Sequence, residues 1–165
     1  MNIVYEAKLD FDDVLIRPKR STLTSRKDVS LLRTFKFLNS NKSWTGIPIV
    51  AANMDSVGTI QAARILQNHG CLTCLHKFYS LDEISFGFDS VGLNSNNFAV
   101  STGIGEEDLI KLDKILQNLP IEFLNIDIAN GYIEKFGDTI EAIRQKYSDI
   151  IIIAGNVCTP EITEE

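Results

Sequence analysis

Residues 98–128 read FAVSTGIGEEDLIKLDKILQNLPIEFLNIDI and contain one complete strand–helix–strand unit. The apolar run from Phe98 to Ser101 predicts a buried strand, and Glu106 to Leu119 has the spacing of an amphipathic helix. The run from Phe123 to Ile128 predicts the next strand. Two strands joined by a helix are typical of a parallel sheet, because the helix returns the chain to the end at which the first strand began.

The same unit is repeated on both sides of this segment. The further predicted strands are Ile49 to Ala52, Leu72 to His76 and Ile150 to Ala154. The further predicted helices are Gly58 to Gln67, which stops at His69-Gly70, a weak one from Leu81 to about Phe88, and Ile133 to Tyr147. Regular alternation favours a barrel over a three-layer sandwich, although periodicity alone is compatible with both.

We therefore predict an α/β fold made of the first five β/α units of a (β/α)₈ TIM barrel. The fifth helix has barely begun at Ile162 to Glu165, so the predicted barrel is incomplete. Residues 1–165 form one partial barrel domain in this prediction, with an N-terminal extension over 1–46 and the β/α units over 47–165. Within the extension, Leu9 to Pro18 has enough alternation to predict a short strand.

Composition excludes several classes of protein. A chain of 165 residues that is 44% hydrophobic and 23% charged is typical of one soluble globular domain. A net charge of −6 and a pI near 4.9 disfavour nucleic-acid binding. We predict no membrane contact, because no run approaches the roughly 20 apolar residues of a membrane helix. The start lacks a basic region followed by an apolar run, so we expect a cytoplasmic protein.

Polar side chains follow four of the predicted strands, at the end where barrel enzymes build their active sites. They are Asn53-Met54-Asp55, His76-Lys77, Asp127 and Gly155-Asn156. Asp55-Ser56 and Thr159-Pro160 also suit the caps of the following helices, and we prefer that role for them. For Lys77 and Asp127 we favour a functional role, because neither has a sequence-local partner of opposite charge.

Gly103-Ile104-Gly105 follows a strand and opens a helix, as a dinucleotide-binding turn does. The third glycine of that fingerprint is replaced by Asp108, and acidic residues occupy the place where a pyrophosphate would dock. These acids suit the positive end of the helix dipole instead.

The cysteines and histidines do not indicate a redox or metal site. Cys71 and Cys74 lie three apart on a predicted strand and so point to opposite faces, which predicts buried, inert thiols. His69 and His76 are too few for a metal site, and we predict none.

Five segments carry a resemblance to a known family. They are Leu9 to Thr22, Ile49 to Thr59, His76 to Ser80, Asp127 to Tyr132 and Ala154 to Val157. In order and spacing they resemble the GMP reductase family over essentially the whole chain. The sister family, IMP dehydrogenase, usually carries a large regulatory insertion after the second strand, whereas here only Phe78 to Asn97 intervenes. The run from Arg17 to Thr22 is also similar to the reductase version.

This resemblance implies NADPH-dependent reductive deamination of GMP to IMP with release of ammonia. It puts Lys77 beside the reacting centre and the cofactor, where its charge or proton would assist deamination. Asp127, Ile128 and Ala129 are similar to the loop that holds the nicotinamide riboside.

The resemblance also implies binding roles for residues at other places in the chain. Met54 is similar to the residue that packs on the purine, and Asn156 to one that lines the nucleotide site. Ser25 and Arg26 resemble a pair that reaches the adenosine end of the cofactor from an adjacent subunit. A guanidinium suits the 2′-phosphate of NADPH.

The family's nucleophilic cysteine, its catalytic threonine and its potassium ligands lie after the sixth strand, outside this chain. We expect Cys158 to be a core thiol and not a substitute, so we expect the chain alone to be inactive. The implied partners are GMP, NADPH and other subunits of a homotetramer, or a complementary C-terminal half. The alternatives are a non-catalytic, self-associating half-barrel and a fragment of an IMP dehydrogenase-type enzyme.

Overall fold

The structure is a computed structural model that describes Tyr5, Ala7 and residues 9–164. The strands of this part of the chain are β1 (Arg33–Phe37), β2 (Lys42–Gly46), β3 (Val50–Ala51), β4 (Leu72–Leu75), β5 (Phe98–Thr102), β6 (Phe123–Asp127) and β7 (Ile151–Gly155). The helices are α1 (Ile60–Gln67), α2 (Leu81–Phe86), α3 (Glu106–Asn118), α4 (Glu134–Lys146) and α5 (Pro160–Glu164), and a π-helical segment, Gly87–Val91, continues α2.

The apolar runs pair side by side into one sheet with the order β3-β4-β5-β6-β7. Every neighbouring pair is parallel, and a helix separates each strand from the next. The predicted fold class is therefore confirmed: the chain forms a parallel, five-stranded partial barrel. The predicted strands also agree closely with the observed ones, for example Phe123 to Ile128 against Phe123–Asp127.

Alternating side chains on the strands pack against two different surroundings. Leu75, Val100 and Leu124 lie on the face covered by helices, in clusters with residues such as Ile60, Ile84, Leu112 and Phe136. Cys74, Ala99 and Phe123 lie on the opposite face, which we call the inner face. Burying one such large apolar side chain stabilises the fold by roughly 1.5–3 kcal/mol, so these clusters fix which face each residue presents.

An antiparallel hairpin of β1 and β2 covers the amino-terminal end of the inner face. Trp44 packs edge-on against Phe123, with 6.4 Å between ring centroids, and Phe37 also contacts Phe123 edge-on. The Trp44 indole N–H donates a hydrogen bond to the Asn96 carbonyl at 2.8 Å. This hairpin was not among the predicted strands, because no strand was predicted between Pro18 and Ile49.

The chain divides into two units, residues 1–30 and 31–165, and the hairpin belongs to the second. The predicted boundary between residues 46 and 47 stays a prediction. In the first unit, the predicted strand from Leu9 to Pro18 was wrong: Phe11–Asp13 form a 3₁₀ turn. The Phe11 N–H donates to the Asp10 carboxylate at 2.7 Å, and the Asp10 N–H donates to Asp13 at 2.9 Å. These local bonds compete with strand formation.

The helix ends agree in part with the predicted signals. Gly70 has φ +69° just after α1, as expected for a helix stop, and α5 begins at Pro160 directly after Thr159. The capping role predicted for Asp55-Ser56 was wrong, because Thr59 caps α1 by accepting a hydrogen bond from the Ala62 N–H at 3.1 Å.

Among the described residues, none of the helices combines the length and the apolar character that a bilayer crossing requires.

Candidate functional site at the carboxyl ends of the strands

The polar strand ends form two groups on opposite sides of the sheet. Side chains alternate between the two faces along β6, so Asp127 shares the inner face with Phe123 and Asn125. Lys77 lies in the turn two residues after β4 and contacts Asp108 and Lys111 of α3, so it lies on the helix-covered side of the sheet. We call Asn53, Asp127 and Asn156 the Asp127 cluster, and Lys77, Asp108 and Lys111 the Lys77 cluster.

The Asp127 cluster joins the ends of three strands. The Asn53 amide donates to one carboxylate oxygen of Asp127 at 2.9 Å, and the Asn156 amide lies 3.4 Å from the other oxygen. Asn156 also donates to the Ile128 carbonyl at 3.1 Å. Because each carboxylate oxygen has two lone pairs, Asp127 is oriented by both amides and can still accept hydrogen bonds from a ligand.

Buried polar groups lie beneath this cluster on the inner face. The Asn125 amide donates to the Ser101 hydroxyl at 3.0 Å, and both residues are buried. Burial, and secondarily the charge of Asp127, raise the pKa of the Cys74 thiol to about 11. Cys74 is therefore protonated at neutral pH, and this matches the inert thiol that was predicted there.

The loops after β6 and β7 are joined by backbone hydrogen bonds. The Ile128 N–H donates to the Gly155 carbonyl at 2.9 Å, and the Asn156 N–H donates to the Ile128 carbonyl at 2.8 Å. Ala129 follows and is exposed. The predicted cofactor residues Asp127 and Ile128 thus lie beside the predicted substrate residue Asn156. We call the carboxyl ends of the strands, with the loops that follow them, the rim.

The expectation that Cys158 packs in the core was wrong, since its side chain is exposed. The Cys158 backbone N–H donates to the Tyr132 hydroxyl at 3.0 Å, and its sulfur lies 3.2 Å from the same oxygen. This contact holds the residue beside the loop that follows β6, which keeps it out of the core.

The Lys77 cluster joins one strand end to the first turn and a half of α3. The Lys77 ammonium lies 3.6 Å from an Asp108 carboxylate oxygen. The Lys111 ammonium donates a hydrogen bond to the Lys77 backbone carbonyl. Within the described residues, Lys77 shares no hydrogen bond or ion pair with Asp127.

Lys111 is the more enclosed of the two lysines. Burial lowers the pKa of the Lys111 ammonium, and the Lys77 charge lowers it further. The carboxylates of Asp108 and Glu83 act in the opposite direction on the same pKa. Asp108 therefore offsets the positive charge of both lysines.

Three other predicted site residues belong to neither cluster as defined above. Met54 is 59% exposed in the turn after β3, where its carbonyl accepts hydrogen bonds from the N–H groups of Val57 and Gly58. In the first unit, the Ser25 hydroxyl accepts from the Lys27 N–H at 3.2 Å and caps a 3₁₀ turn that starts at Arg26. Arg26 is exposed.

From the sequence, Asn53 was predicted only as a polar strand end and Asp108 only as an acid at the positive end of the helix dipole, and Lys111 had no predicted role. The sequence signal that could have identified Asn53 as a site residue was its place directly after an apolar strand, which is the signal that identified Asp127. Asp108 and Lys111 had no such signal, because their contact with Lys77 joins residues 31 and 34 positions apart.

Comparisons with known proteins agree with this architecture. A family model described as "IMP dehydrogenase / GMP reductase domain" matches residues 8–165. GMP reductase of Caenorhabditis elegans is 48% identical over 162 residues, which are 97% of this chain and 45% of that protein. GMP reductase 1 of Homo sapiens is 46% identical over 161 residues, 97% of this chain and 47% of that protein. The chain spans about half the length of these curated relatives.

A bacterial relative and a solved structure extend the same similarity. GMP reductase of Edwardsiella ictaluri is 48% identical over 167 aligned positions, covering 100% of this chain and 48% of that protein. The crystal structure of inosine 5′ monophosphate dehydrogenase from Legionella pneumophila superposes with a TM-score of 0.74 at 27% identity. That match covers 90% of this chain and 44% of the crystallised one.

Proposed function

The chain belongs to the IMP dehydrogenase / GMP reductase family, and we propose that it supplies five β/α units of an NADPH-dependent GMP reductase. Such an enzyme converts GMP to IMP and releases ammonia. The observation that supports this most is the 46–48% identity to GMP reductases of a nematode, a mammal and a bacterium over nearly the whole chain. IMP dehydrogenase is the second candidate, and the superposition with the Legionella enzyme is the observation in its favour.

The Asp127 cluster fits the nicotinamide riboside of NADPH, which supplies the hydride when bound. A carboxylate accepts hydrogen bonds from two ribose hydroxyls, and the two amides fix the direction from which Asp127 accepts them. In this proposal Asp127, Ile128 and Ala129 orient the cofactor, and Asn156 faces the nucleotide. Met54, exposed on the neighbouring turn, offers an apolar side chain to the purine.

Lys77 acts on the amino group that leaves as ammonia. Its side chain is 45% exposed, so its ammonium is accessible to a ligand at the rim. An ammonium held there donates a proton or stabilises the negative charge that develops as the leaving group departs. In this proposal Lys77 also contacts the cofactor.

The nucleophile and the potassium ion are not assigned to residues of this chain. Cys71 and Cys74 are buried, and within the described residues the Cys158 sulfur contacts the Tyr132 hydroxyl and not a basic group. A nucleophilic cysteine needs a neighbouring base or a lowered pKa. We keep the expectation that both belong to a loop outside residues 1–165.

Assembly completes the proposal. The edge strands β3 and β7 each have one sheet neighbour, and Ile49 and Val50 at the first edge are 59% and 52% exposed. These edges suit further barrel strands. Ser25 and Arg26 serve the adenosine end of NADPH bound by a neighbouring subunit of a homotetramer. We propose a cytoplasmic location for the assembled enzyme.

The test is a chimera in which residues 1–165 replace the matching segment of GMP reductase 1 of Homo sapiens. We expect the purified chimera to oxidise NADPH only when GMP is present and to release one ammonia per NADPH. The unaltered human protein is the control for the assay, and size-exclusion chromatography with light scattering reports whether the chimera assembles like it.

An assembled chimera that reduces NAD⁺ with IMP, and does not oxidise NADPH with GMP, would contradict the proposal and favour the dehydrogenase. An assembled chimera that does neither would contradict both.

A further inference from the structure

We infer that Asp108 and Lys111 of α3 are positioning residues for Lys77. Asp108 holds the Lys77 ammonium, and Lys111 holds the Lys77 backbone carbonyl. The part of this inference that concerns catalysis rests on the proposed function. The geometry on which it depends is independent of that function, since three separate features of the structure converge on Lys77.

The first feature is the ion pair with Asp108. The two charged groups lie 3.6 Å apart, with 45% of the Lys77 side chain and 32% of the Asp108 side chain exposed. A lysine ammonium is strongly hydrated and sits on a flexible stem of four carbons, so an unpaired ammonium at position 77 would sample many positions. The carboxylate restricts it to the part of the rim between β5 and the start of α3.

The second feature is the glycine beneath this pair. A Cβ added at Gly103 would overlap the Asp108 carboxylate and would lie 3.6 Å from the Lys77 ammonium. Gly103 is buried directly after β5. The absence of a side chain at this position therefore makes the space in which Asp108 approaches Lys77.

The third feature is the hydrogen bond from the Lys111 ammonium to the Lys77 backbone carbonyl. Asp108 and Lys111 are three residues apart on α3, so both side chains leave the same face of the helix. The lowered pKa of Lys111, caused first by burial, fits a lysine that is enclosed for a structural purpose. Asp108 and Lys111 together fix the Lys77 side chain and main chain from one helix.

The same helix provides a second ion pair, which joins α3 to α4. Asp113 accepts a hydrogen bond from the Lys146 ammonium at 2.6 Å, and these two side chains are 39% and 51% exposed. The two pairs are similar in charge and exposure, although the Lys146–Asp113 distance is shorter and Asp113 also accepts a hydrogen bond from the Tyr147 hydroxyl at 2.8 Å. Only the Asp108 pair involves a residue at the rim.

The first experiment needs no activity. The 165-residue chain is treated briefly with acetic anhydride, and mass spectrometry measures the rate of acetylation at each lysine. We expect Asp108→Asn to raise the rate at Lys77 severalfold while the rate at Lys146 stays unchanged. Asp113→Asn is the control, with the opposite pattern. Gly103→Ala is expected to act like Asp108→Asn, because it displaces the same carboxylate without removing its charge.

An unchanged acetylation rate at Lys77 in both Asp108→Asn and Gly103→Ala would overturn the inference. An equal rise in the acetylation rate at Lys146 in these variants would also overturn it, since a general loosening of the fold exposes both lysines.

The second experiment uses the chimera and asks whether Asp108 acts through Lys77. We expect Asp108→Asn to lower kcat for ammonia release by roughly 10- to 100-fold, because a small misplacement of a reacting group has an effect of that size. The KM for GMP should stay near its original value. In a Lys77→Met background, Asp108→Asn should cause no further loss, because coupled residues are not additive.

If Asp108→Asn lowered kcat for ammonia release by the same factor with Lys77 present and in the Lys77→Met background, the inference would be overturned. An assembled chimera without GMP reductase activity would instead contradict the proposed function, and the acetylation rates would still decide whether Asp108 and Gly103 position Lys77.

Discussion

Asp127 at the end of β6 and Lys77 after β4 lie at the same edge of the sheet with β5 between their strands, but the structure holds them in different ways. Asp127 receives amide hydrogen bonds from Asn53 and Asn156, both of which follow strands of the same sheet. Lys77 follows its strand by two residues and is held by side chains of a helix. The position of Asp127 is thus set by the register of the sheet, whereas that of Lys77 depends on the packing of α3.

This difference suits two different chemical tasks. A hydride moves over a short distance in a fixed direction, so the group that orients its donor must be rigid. A proton donor follows a leaving group, and an ammonium on a partly exposed side chain can do so. The inner face therefore provides orientation in this account, and the helix-covered face provides charge.

The largest expected effect concerns the nucleophile, which is not assigned to any residue of this chain on either face of the sheet. The 165-residue chain assayed by itself with GMP and NADPH should show no GMP-dependent oxidation of NADPH. Cys71 and Cys74 are buried, the pKa of the Cys74 thiol is raised to about 11, and the Cys158 sulfur contacts the Tyr132 hydroxyl and not a basic group in the part of the chain that the structure describes. Ammonia release that Cys158→Ala abolishes would contradict this and would move the chemistry to the end of β7.

The next effect concerns the inner face alone. In the chimera, Asn53→Ala removes one of the two amides that orient Asp127, and we expect the hydride step to slow about 10-fold, as for a lost hydrogen bond to a charged group. The rate of ammonia release should change little. Asn118→Ala is the control, because the Asn118 amide donates to the Lys114 carbonyl at the exposed end of α3.

A loss of ammonia release in Asn53→Ala as large as the loss in the hydride step would show that the two faces are not independent. The two rates are separable by stopped-flow absorbance of NADPH and by a coupled ammonia assay.

The smallest effect concerns the control pair on α3. The hydrogen bond from Lys146, assisted by one from Tyr147, lowers the pKa of the Asp113 carboxyl. A lowered pKa in the folded state stabilises the protein above the unfolded-state pKa, and this contribution is lost as the pH falls through the folded-state value. Asp113→Asn should therefore reduce the free energy of unfolding slightly at pH 7 and not at acidic pH, as urea titrations would measure. A loss of the same size at both pH values would contradict this origin.

Much of the fold could be predicted because parallel strands buried on both faces have continuous apolar sequences. Ile151–Gly155 and Phe98–Thr102 were recognisable in this way. The hairpin was not, because Phe37 and Trp44 alternate with polar residues and join a core only by packing on Phe123. That contact joins distant parts of the chain and has no local signal.

The candidate site could be predicted to the same extent. Strand ends identified Asp127, Asn156 and Lys77 as rim residues, and alternation along β6 places Asp127 on the inner face. The partners of Lys77 could not be found in this way, because α3 approaches the end of β4 only in the folded chain. The exposed position of Cys158 depends in the same manner on Tyr132, 26 residues earlier.

The central claim, that the two faces of the rim perform separate steps, is tested most directly by Lys77→Met and Asp127→Ala in the chimera. Stopped-flow measurement of NADPH oxidation and ammonia release would give the rate of each step in both variants. We expect Lys77→Met to slow ammonia release by about 100-fold or more, as for loss of a general acid, with NADPH binding preserved. Asp127→Ala should slow the hydride step while GMP still binds. Equal losses in both steps for both variants would contradict the claim and make both residues structural parts of the rim.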